Sequence, residues 1–314
     1  MKTTNSLGPG REETCRKRGR RHRRVSLTPY LFLLPGMLLF LAWTAYPLLK
    51  AFQISLYDWN PIPGQVSPFV GTANYTRAFD DPVFWLALRN TLMYTIVTVA
   101  GQMILGLTVA LLVDRVVFGR TVFRTIYYMP VITSWVVVSI LFKYLFNSSP
   151  AGLVNYLLVD VLHILPDYVQ WLSNANTSWI AIMSLGIWKG IGWNMVIFLA
   201  ALQSIPTELY EVAAIDGANG WQRLWRITLP LIRPTIVFVL VMLVIGGFQA
   251  FISIYLITGG GPMQRTEVLL SYMYNQGFKY LDFGYGAALS YLLATLIFGI
   301  NFIQMRFLQR RIEY

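Results

Sequence analysis

Six long apolar runs constrain this 314-residue chain more than any other feature. Five of them contain no charged residue, and the sixth, 168–207, contains only Lys189. About 20 apolar residues are enough to cross a bilayer as a helix. A water-soluble domain could not bury a chain that is 56% hydrophobic and only 12% charged. We therefore predict an all-α membrane protein with six spans, at 29–52, 90–113, 122–146, 178–203, 232–257 and 284–307.

The net charge of +11 is explained by membrane orientation rather than by nucleic-acid binding. Of the 25 Lys and Arg residues, eighteen lie on the predicted side that holds both termini, and nine of these fall within 1–24. Six lie on the opposite side, and Lys189 lies within a predicted span. The positive-inside rule therefore predicts that both termini are cytoplasmic.

The basic tail, residues 1–27, is expected to be disordered and to contact anionic lipid head groups. A cleaved signal peptide is disfavoured, because the apolar run that follows is too long and lacks a small-x-small cleavage site. The one cysteine, Cys15, lies in this tail, so the sequence offers no disulfide framework. Residues 28–314 are expected to form a single membrane domain.

The longest predicted cytoplasmic connection, 204–231, is polar and lies between two spans. Ser204 or Thr207 can cap the start of a helix, and Gly217 can end that helix in the left-handed conformation. The pattern predicts a short helix, a tight turn and a second segment that enters the fifth span. From these residues alone, the loop could also be an amphipathic helix on the lipid surface.

The spacing of this loop resembles the signature loop of ATP-binding-cassette importer permeases. The residues that match are Glu211, Ala213, Ala214, Gly217, Ile227, Leu229 and Pro230. Val212 departs from the pattern, since alanine is usual there. The resemblance implies a type I importer permease architecture in which the loop forms a coupling helix that docks in a cleft of the ATPase subunit. It implies that Glu211 contacts the ATPase, with Asp216 beside it, while Ala213 and Ala214 keep the contact close and Gly217 makes the turn.

Three shorter segments, 201–206, 214–218 and 260–262, are similar to the carbohydrate-uptake permeases of the maltose, multiple-sugar and glycerol-3-phosphate type. The similarity extends from about residue 28 to the C-terminus. The Pro35-Gly36 and Tyr46-Pro47 pattern resembles the maltose-type first permease half.

This resemblance implies a permease for a di- or oligosaccharide in a bacterial or archaeal plasma membrane. It implies a second permease subunit and two ATPase subunits, which would hold ATP and Mg²⁺, so this chain would carry no cofactor and would not be an enzyme. An extracellular solute-binding protein would dock near 56–89 and 258–283. Glycerol-3-phosphate, or a related polyol phosphate, is the alternative substrate.

Polar residues and glycines at membrane depth are candidates for a substrate pathway. Lys189 could line that pathway or could snorkel to the outer interface. Gln249 could bond a ligand or join two helices. By resemblance, Gly190 and Trp193 fall at substrate-cavity positions. The complete predicted set is Lys189, Gly190, Trp193, Asn194, Gly247, Phe248 and Gln249.

Several chemistries are disfavoured by what the sequence lacks. There is no phosphate-binding Gly-x-x-x-x-Gly-Lys motif. The two histidines, His22 and His163, lie outside the predicted spans, so no histidine metal site is expected within the membrane. No Asp or Glu falls within a predicted span. A secondary carrier would need a titratable residue at depth, and only Lys189 qualifies. A membrane-embedded enzyme, such as a lipid-modifying transferase, would need catalytic carboxylates or histidines at the membrane surface.

Overall fold

The computed structural model describes residues 28–62, 64–115 and 119–308, so the predictions for the tail 1–27 lie outside it. The described residues are mostly helical, with no strand beyond an isolated bridge between Tyr57 and Phe69. In the described part of the chain, five helices are long and apolar enough to cross a membrane, and the all-α prediction is confirmed. They are span 1 (Tyr30–Ser55), span 2 (Pro82–Arg115), span 4 (Ala175–Gln203), span 5 (Arg233–Ile257) and span 6 (Phe283–Arg306).

The third predicted span is not a continuous helix. Its first half, Arg120–Ile132, and its second half, Trp135–Leu145, meet at 94°. Between them, Thr133 and Ser134 have extended backbone, with ψ of 147° and 136°. The prediction of a single helix over 122–146 was therefore wrong. Hydropathy does not reveal the break, because both halves are apolar. We call this bent pair span 3.

The described residues form two compact units, one ending at Leu49 and the other beginning at Lys50. The first contains the α-helix Thr28–Phe40 and the π-helical turn Leu41–Ala45. The α-helix Tyr46–Ser55 completes span 1. All of the packing and sites described below lie in the second unit.

Spans 2 and 4 pack closely because glycines lie where the two helices meet. A Cβ atom on Gly106 would lie 2.6 Å from Cβ of Asn194, and one on Gly186 would lie 2.6 Å from the Tyr94 hydroxyl oxygen. Glycine is therefore the residue that fits at both positions. This contact brings the polar side chains of span 2 against the middle of span 4.

The connections contain short helices, including two between residues 153 and 161. Span 2 begins at Pro82, where the Asp81 carboxylate accepts a 2.8 Å hydrogen bond from the Val83 N–H. Span 5 is interrupted between Phe248 and Ile252. The short elements are Ala73–Asp80, Leu153–Asn155, Tyr156–Val161, Thr207–Ile215, Gly220–Arg223, Leu224–Thr228, Leu229–Leu231, Leu269–Tyr274 and Asn275–Lys279.

Candidate functional site

The connection 204–231 forms the predicted helix and turn. Its first helix, Thr207–Ile215, ends in a Schellman motif. Gly217 has a φ of 75°, and its N–H donates to the carbonyl of Ala214 at 3.1 Å. The next N–H, that of Ala218, donates to the carbonyl of Ala213 at 2.9 Å. The predicted left-handed stop at Gly217 is confirmed.

The caps of this loop differ from the prediction. Neither Ser204 nor Thr207 caps the first helix, because Pro206 occupies the N-cap position and makes no side-chain cap bond. The Ser204 hydroxyl instead donates to a carbonyl at the end of span 4, at 2.7 Å. The second helix begins with a capping box in which Asn219 and Gln222 exchange two 2.9 Å hydrogen bonds. The Asn-x-x-Gln spacing was a sequence signal for this box.

The first helix of the loop has a packed side and an exposed side. Ala213 is buried, and the Tyr210 hydroxyl hydrogen-bonds that of Thr228 at 2.9 Å, so the helix is fixed to the rest of the loop. Ile215, by contrast, is 85% exposed. Ala213 therefore packs within the chain, while the other residues predicted for coupling are exposed: Glu211, Ala214, Asp216 and Gly217.

A cavity of about 290 Å³ lies among spans 2, 3, 4 and 5. Four of the residues predicted for the substrate pathway line it: Lys189, Gly190, Trp193 and Gly247. The rest of its wall is mostly apolar, with three hydroxyl or amide side chains. These further lining residues are Tyr94, Thr98, Gln102, Val131, Trp135, Met242, Leu243 and Gly246.

Three of the predicted pathway residues are not in the cavity wall. Asn194 is fully buried, and its Nδ2 donates to the Gly190 carbonyl at 2.9 Å and to Oε1 of Gln102 at 3.3 Å. It therefore joins spans 2 and 4. Phe248 is 2% exposed and packs in a hydrophobic cluster with residues of spans 2 and 6. Gln249 is exposed and follows the last residue of the first helix of span 5.

Lys189 is buried at the break of span 3. Its Nζ donates to the carbonyl oxygens of Pro130 and Thr133, both at 2.7 Å, and lies 4.9 Å from the centre of the Trp135 ring. The side chain is 4% exposed. The hypothesis that Lys189 snorkels to the interface is therefore wrong.

The polar stripe of span 2 was not predicted as part of the pathway. Tyr94, Thr98 and Gln102 recur at intervals of four residues, which places them on one helical face. This spacing was the sequence signal that could have identified them. Gln102 joins spans 2 and 4, since its Nε2 donates to the Gly186 carbonyl at 3.1 Å. It also lines the cavity.

At the other end of span 5, the connection 258–283 is fixed by buried polar groups. Glu267 is 3% exposed, and one of its carboxylate oxygens accepts a 3.1 Å hydrogen bond from Asn275. Its backbone carbonyl accepts a 2.8 Å bond from Asn90 of span 2. A Cβ atom on Gly260, whose φ is 86°, would lie 1.9 Å from the Glu267 carboxylate. The helix ends at Ile257, before the three glycines 259–261.

A second group of polar contacts that fixes the connections on this side of the membrane surrounds Asp81. Its carboxylate accepts hydrogen bonds from the hydroxyls of Tyr272 and of Tyr285, the latter at 2.7 Å. Burial opposes ionisation, but these hydrogen bonds outweigh it and lower the pKa of Asp81. Burial and the neighbouring carboxylate raise the pKa of Tyr272 to about 12. Nearby, Arg77 and Asp282 form an ion pair at 2.7 Å.

Comparison with known proteins identifies the family. Residues 102–314 match the family described as binding-protein-dependent transport system inner membrane component. The chain belongs to this family. Its members are multi-pass permease subunits of ATP-binding-cassette importers and are not themselves enzymes. In the described part of the chain, no group of three or more His, Cys, Asp or Glu side chains could hold a metal ion.

The similarity to individual permeases extends over most of the chain. The arabinooligosaccharides transport system permease protein AraP of Bacillus subtilis is 36% identical over 88% of this chain and 87% of its own length. The sn-glycerol-3-phosphate transport system permease protein UgpA of Rhizobium meliloti is 35% identical over 92% of this chain and 97% of its own. A chain from the crystal structure of a bacterial alginate ABC transporter in complex with an alginate pentasaccharide-bound periplasmic protein has a TM-score of 0.78. That chain is 27% identical to this one, and the match covers 90% of this chain and 94% of the length of the other.

The buried Glu267 gives a prediction about pH. Burial raises the pKa of its carboxyl above 4.5, although Ser271, Asn275 and Lys279 partly oppose this shift. Between pH 4.5, the ordinary pKa of this carboxyl in the unfolded chain, and its higher pKa in the folded protein, the folded protein holds a proton that the unfolded chain has released. The stabilisation that Glu267 contributes is therefore complete below pH 4.5 and is lost as the pH rises. We expect the unfolding temperature in nanodiscs to fall as the pH rises above 4.5 and through the raised pKa of Glu267. Glu267→Gln should remove part of this fall.

The control is Asp167→Asn, which neutralises an exposed carboxyl in another connection on the same face. This variant should keep the pH profile of the wild type. A profile for Glu267→Gln that runs parallel to that of the wild type would show that burial does not perturb this group.

Proposed function

We propose that this chain is one of two permease subunits of an ATP-binding-cassette importer that carries a sugar across a bacterial or archaeal plasma membrane. Both termini and the connection 204–231 are cytoplasmic in this proposal, in agreement with the positive-inside rule. Two observations support it: the exposed tip of that connection and the cavity between the spans. The name of the 36% identical relative, an arabinooligosaccharide permease, supports a sugar as the substrate.

The exposed tip of the loop is the observation that carries the proposal. Ile215 is 85% exposed and Val212 is 57% exposed, on a helix whose opposite side is packed. An exposed apolar surface bordered by polar residues is typical of a protein docking site. Glu211 and Asp216 border it here, and their charges disfavour an anionic lipid surface. The occupant we propose is an ATPase subunit, and the two ATPase subunits hold the ATP and Mg²⁺.

Chain connectivity explains how such docking would act on a substrate. The loop connects span 4, which carries Gly190 and Trp193, to span 5, which carries Gly247. Both spans therefore line the cavity and lead directly into the loop. Closure of the ATPase dimer would displace the loop, and the two permeases would switch between outward-open and inward-open states.

The variant Glu211→Lys tests this coupling. The reversed charge should abolish ATP-dependent sugar uptake, because it faces the ATPase at the edge of the docking surface. The amount of protein in the membrane should be unchanged, since Glu211 is exposed and supports no packing in this chain. Uptake and membrane content are measured in cells that express all subunits.

The control is Asp167→Lys, the same charge change at an exposed residue in the opposite connection. Uptake should persist in this variant. Normal uptake by Glu211→Lys would refute the assignment of Glu211 to the coupling site.

The composition of the cavity wall supports an uncharged sugar. The rings of Tyr94, Trp135 and Trp193 offer apolar faces, and Thr98 and Gln102 offer hydroxyl and amide groups. Binding sites commonly combine such faces with a few polar groups that orient the ligand. The proposed pathway residues in this wall are Lys189, Gly190, Trp193 and Gly247. Asn194 would support the wall by bonding Gly190 and Gln102.

The variant Trp193→Ala tests the cavity. Removing the ring should reduce sugar uptake, whereas binding of the ATPase subunits should remain, because the loop is unchanged. The control is Trp188→Ala on the same helix, since Trp188 is 42% exposed and contacts Phe142 outside the cavity wall. Initial uptake rates and co-purification of the ATPase are measured. Equal uptake rates in the two variants would show that Trp193 is not part of the substrate pathway.

Two further partners belong to the proposal. A second, homologous permease would complete the pathway. A solute-binding protein outside the membrane would dock near 56–89 and 258–283, the face that Glu267 and Asp81 hold in place. The related alginate transporter, whose structure includes a pentasaccharide-bound periplasmic protein, supports such docking.

A polyol phosphate is the second candidate substrate, because a relative at 35% identity is named for sn-glycerol-3-phosphate transport. Lys189 is the only cation in the wall formed by the described residues, and its ammonium group donates to backbone carbonyls. The wall therefore offers a phosphate no free cation, and we place the sugar first.

A further inference from the structure

The break in span 3 creates a need for hydrogen-bond donors at membrane depth. The last four carbonyls of a helix have no partner within it. In the first half of span 3, these include the carbonyls of Pro130 and Val131. The chain that follows, Thr133 and Ser134, is extended and does not continue the helix. In hydrocarbon, each unpaired backbone group costs several kcal/mol.

Lys189 supplies donors from a different span, beside the Thr133 hydroxyl, which donates to the Pro130 carbonyl at 2.6 Å. Its three N–H groups face three carbonyls: those of Pro130 and Thr133 at 2.7 Å and that of Val131 at 3.4 Å. An ammonium group at the C-terminal end of a helix is also attracted by the helix dipole. The ring of Trp135, the first residue of the second half, lies 4.9 Å from the same Nζ. Lys189 thus contacts both halves of the bend.

Span 4 is shaped to bring this lysine to the break. Gly192 lies three residues after Lys189, on nearly the same helical face. A Cβ atom on Gly192 would lie 2.0 Å from the carbonyl oxygen of Tyr127 in the first half of span 3. Only glycine allows the two backbones to approach this closely. Among the described residues, the one salt bridge is Arg77–Asp282, so carbonyl dipoles rather than a carboxylate compensate the charge of Lys189.

We infer that Lys189 is a positioning residue that fixes the angle of span 3 and thereby sets the shape of the cavity. Val131 and Trp135, on either side of the bend, both line that cavity. Without the ammonium group, the carbonyls of Val131 and Thr133 would lose this donor, and the two halves would change their angle so that these carbonyls find other donors. This inference rests on the proposed function only in treating the cavity as the sugar pathway.

Distances between spin labels on the two halves test this inference in the complete transporter. Labels are attached to cysteines at Val122 and Val137, which are 60% and 63% exposed, after Cys15→Ser removes the native thiol. In Lys189→Met, which has similar length but no donor, the distance distribution should shift or broaden. Sugar uptake should fall about ten-fold or more, as expected when hydrogen bonds to a charged group are lost.

Two variants separate capping from general damage. Lys189→Arg keeps a cation with several donors and should restore the wild-type distribution. Lys143→Met removes an exposed lysine from the second half of span 3 and should also match the wild type. If Lys189→Met does not accumulate in membranes, Lys189→Gln, which has two donors, should give a smaller change of the same kind.

A wild-type distribution in Lys189→Met, or in Lys189→Gln where that variant replaces it, would overturn the inference. So would a distribution in Lys189→Arg that matches the disturbed variant. The distance measurement requires no substrate, so its outcome is independent of whether the carried solute is a sugar.

Discussion

The bilayer interior offers no water to backbone polar groups, and the rest of this structure depends on how that constraint is met. A lysine at the centre of a membrane helix costs about 2.5–3.5 kcal/mol on insertion scales. Helix carbonyls left unpaired at the same depth are also costly. The hydrogen bonds from Lys189 to Pro130 and Thr133 offset both costs. The buried lysine and the unpaired carbonyls would each be unfavourable alone. Together they permit the 94° bend of span 3 that opens one wall of the cavity.

The same helices link the cavity to the cytoplasmic loop. Span 4 contributes Lys189 and Trp193 to the cavity and ends at the loop, whereas span 5 begins after the loop and contributes Gly247. Ala213 packs the loop helix onto the chain, and Ile215 extends from it with 85% of its surface exposed. A partner that holds Ile215 would therefore act on two walls of the cavity through continuous backbone.

The sequence was sufficient to predict features that depend on local chemistry. Apolar runs located five of the spans, and Gly217 marked the turn because a left-handed residue there is most often glycine. The break in span 3 could not be predicted, because its stabilising partner, Lys189, lies more than 50 residues away along the chain. Asn194 and Phe248, predicted for the substrate pathway, lie outside the cavity wall, and hydropathy could not show this because it gives depth in the membrane but not which neighbour a side chain faces.

In the function proposed here, separate ATPase subunits drive this permease through its cytoplasmic loop. The most direct measurement is sugar uptake by proteoliposomes that contain either the complete transporter or this chain and its partner permease alone. Uptake is measured with the binding protein on the outside and with ATP or a non-hydrolysable analogue inside. The account predicts uptake only for the complete transporter with ATP. Uptake of the same sugar by the permeases alone, without nucleotide, would contradict it.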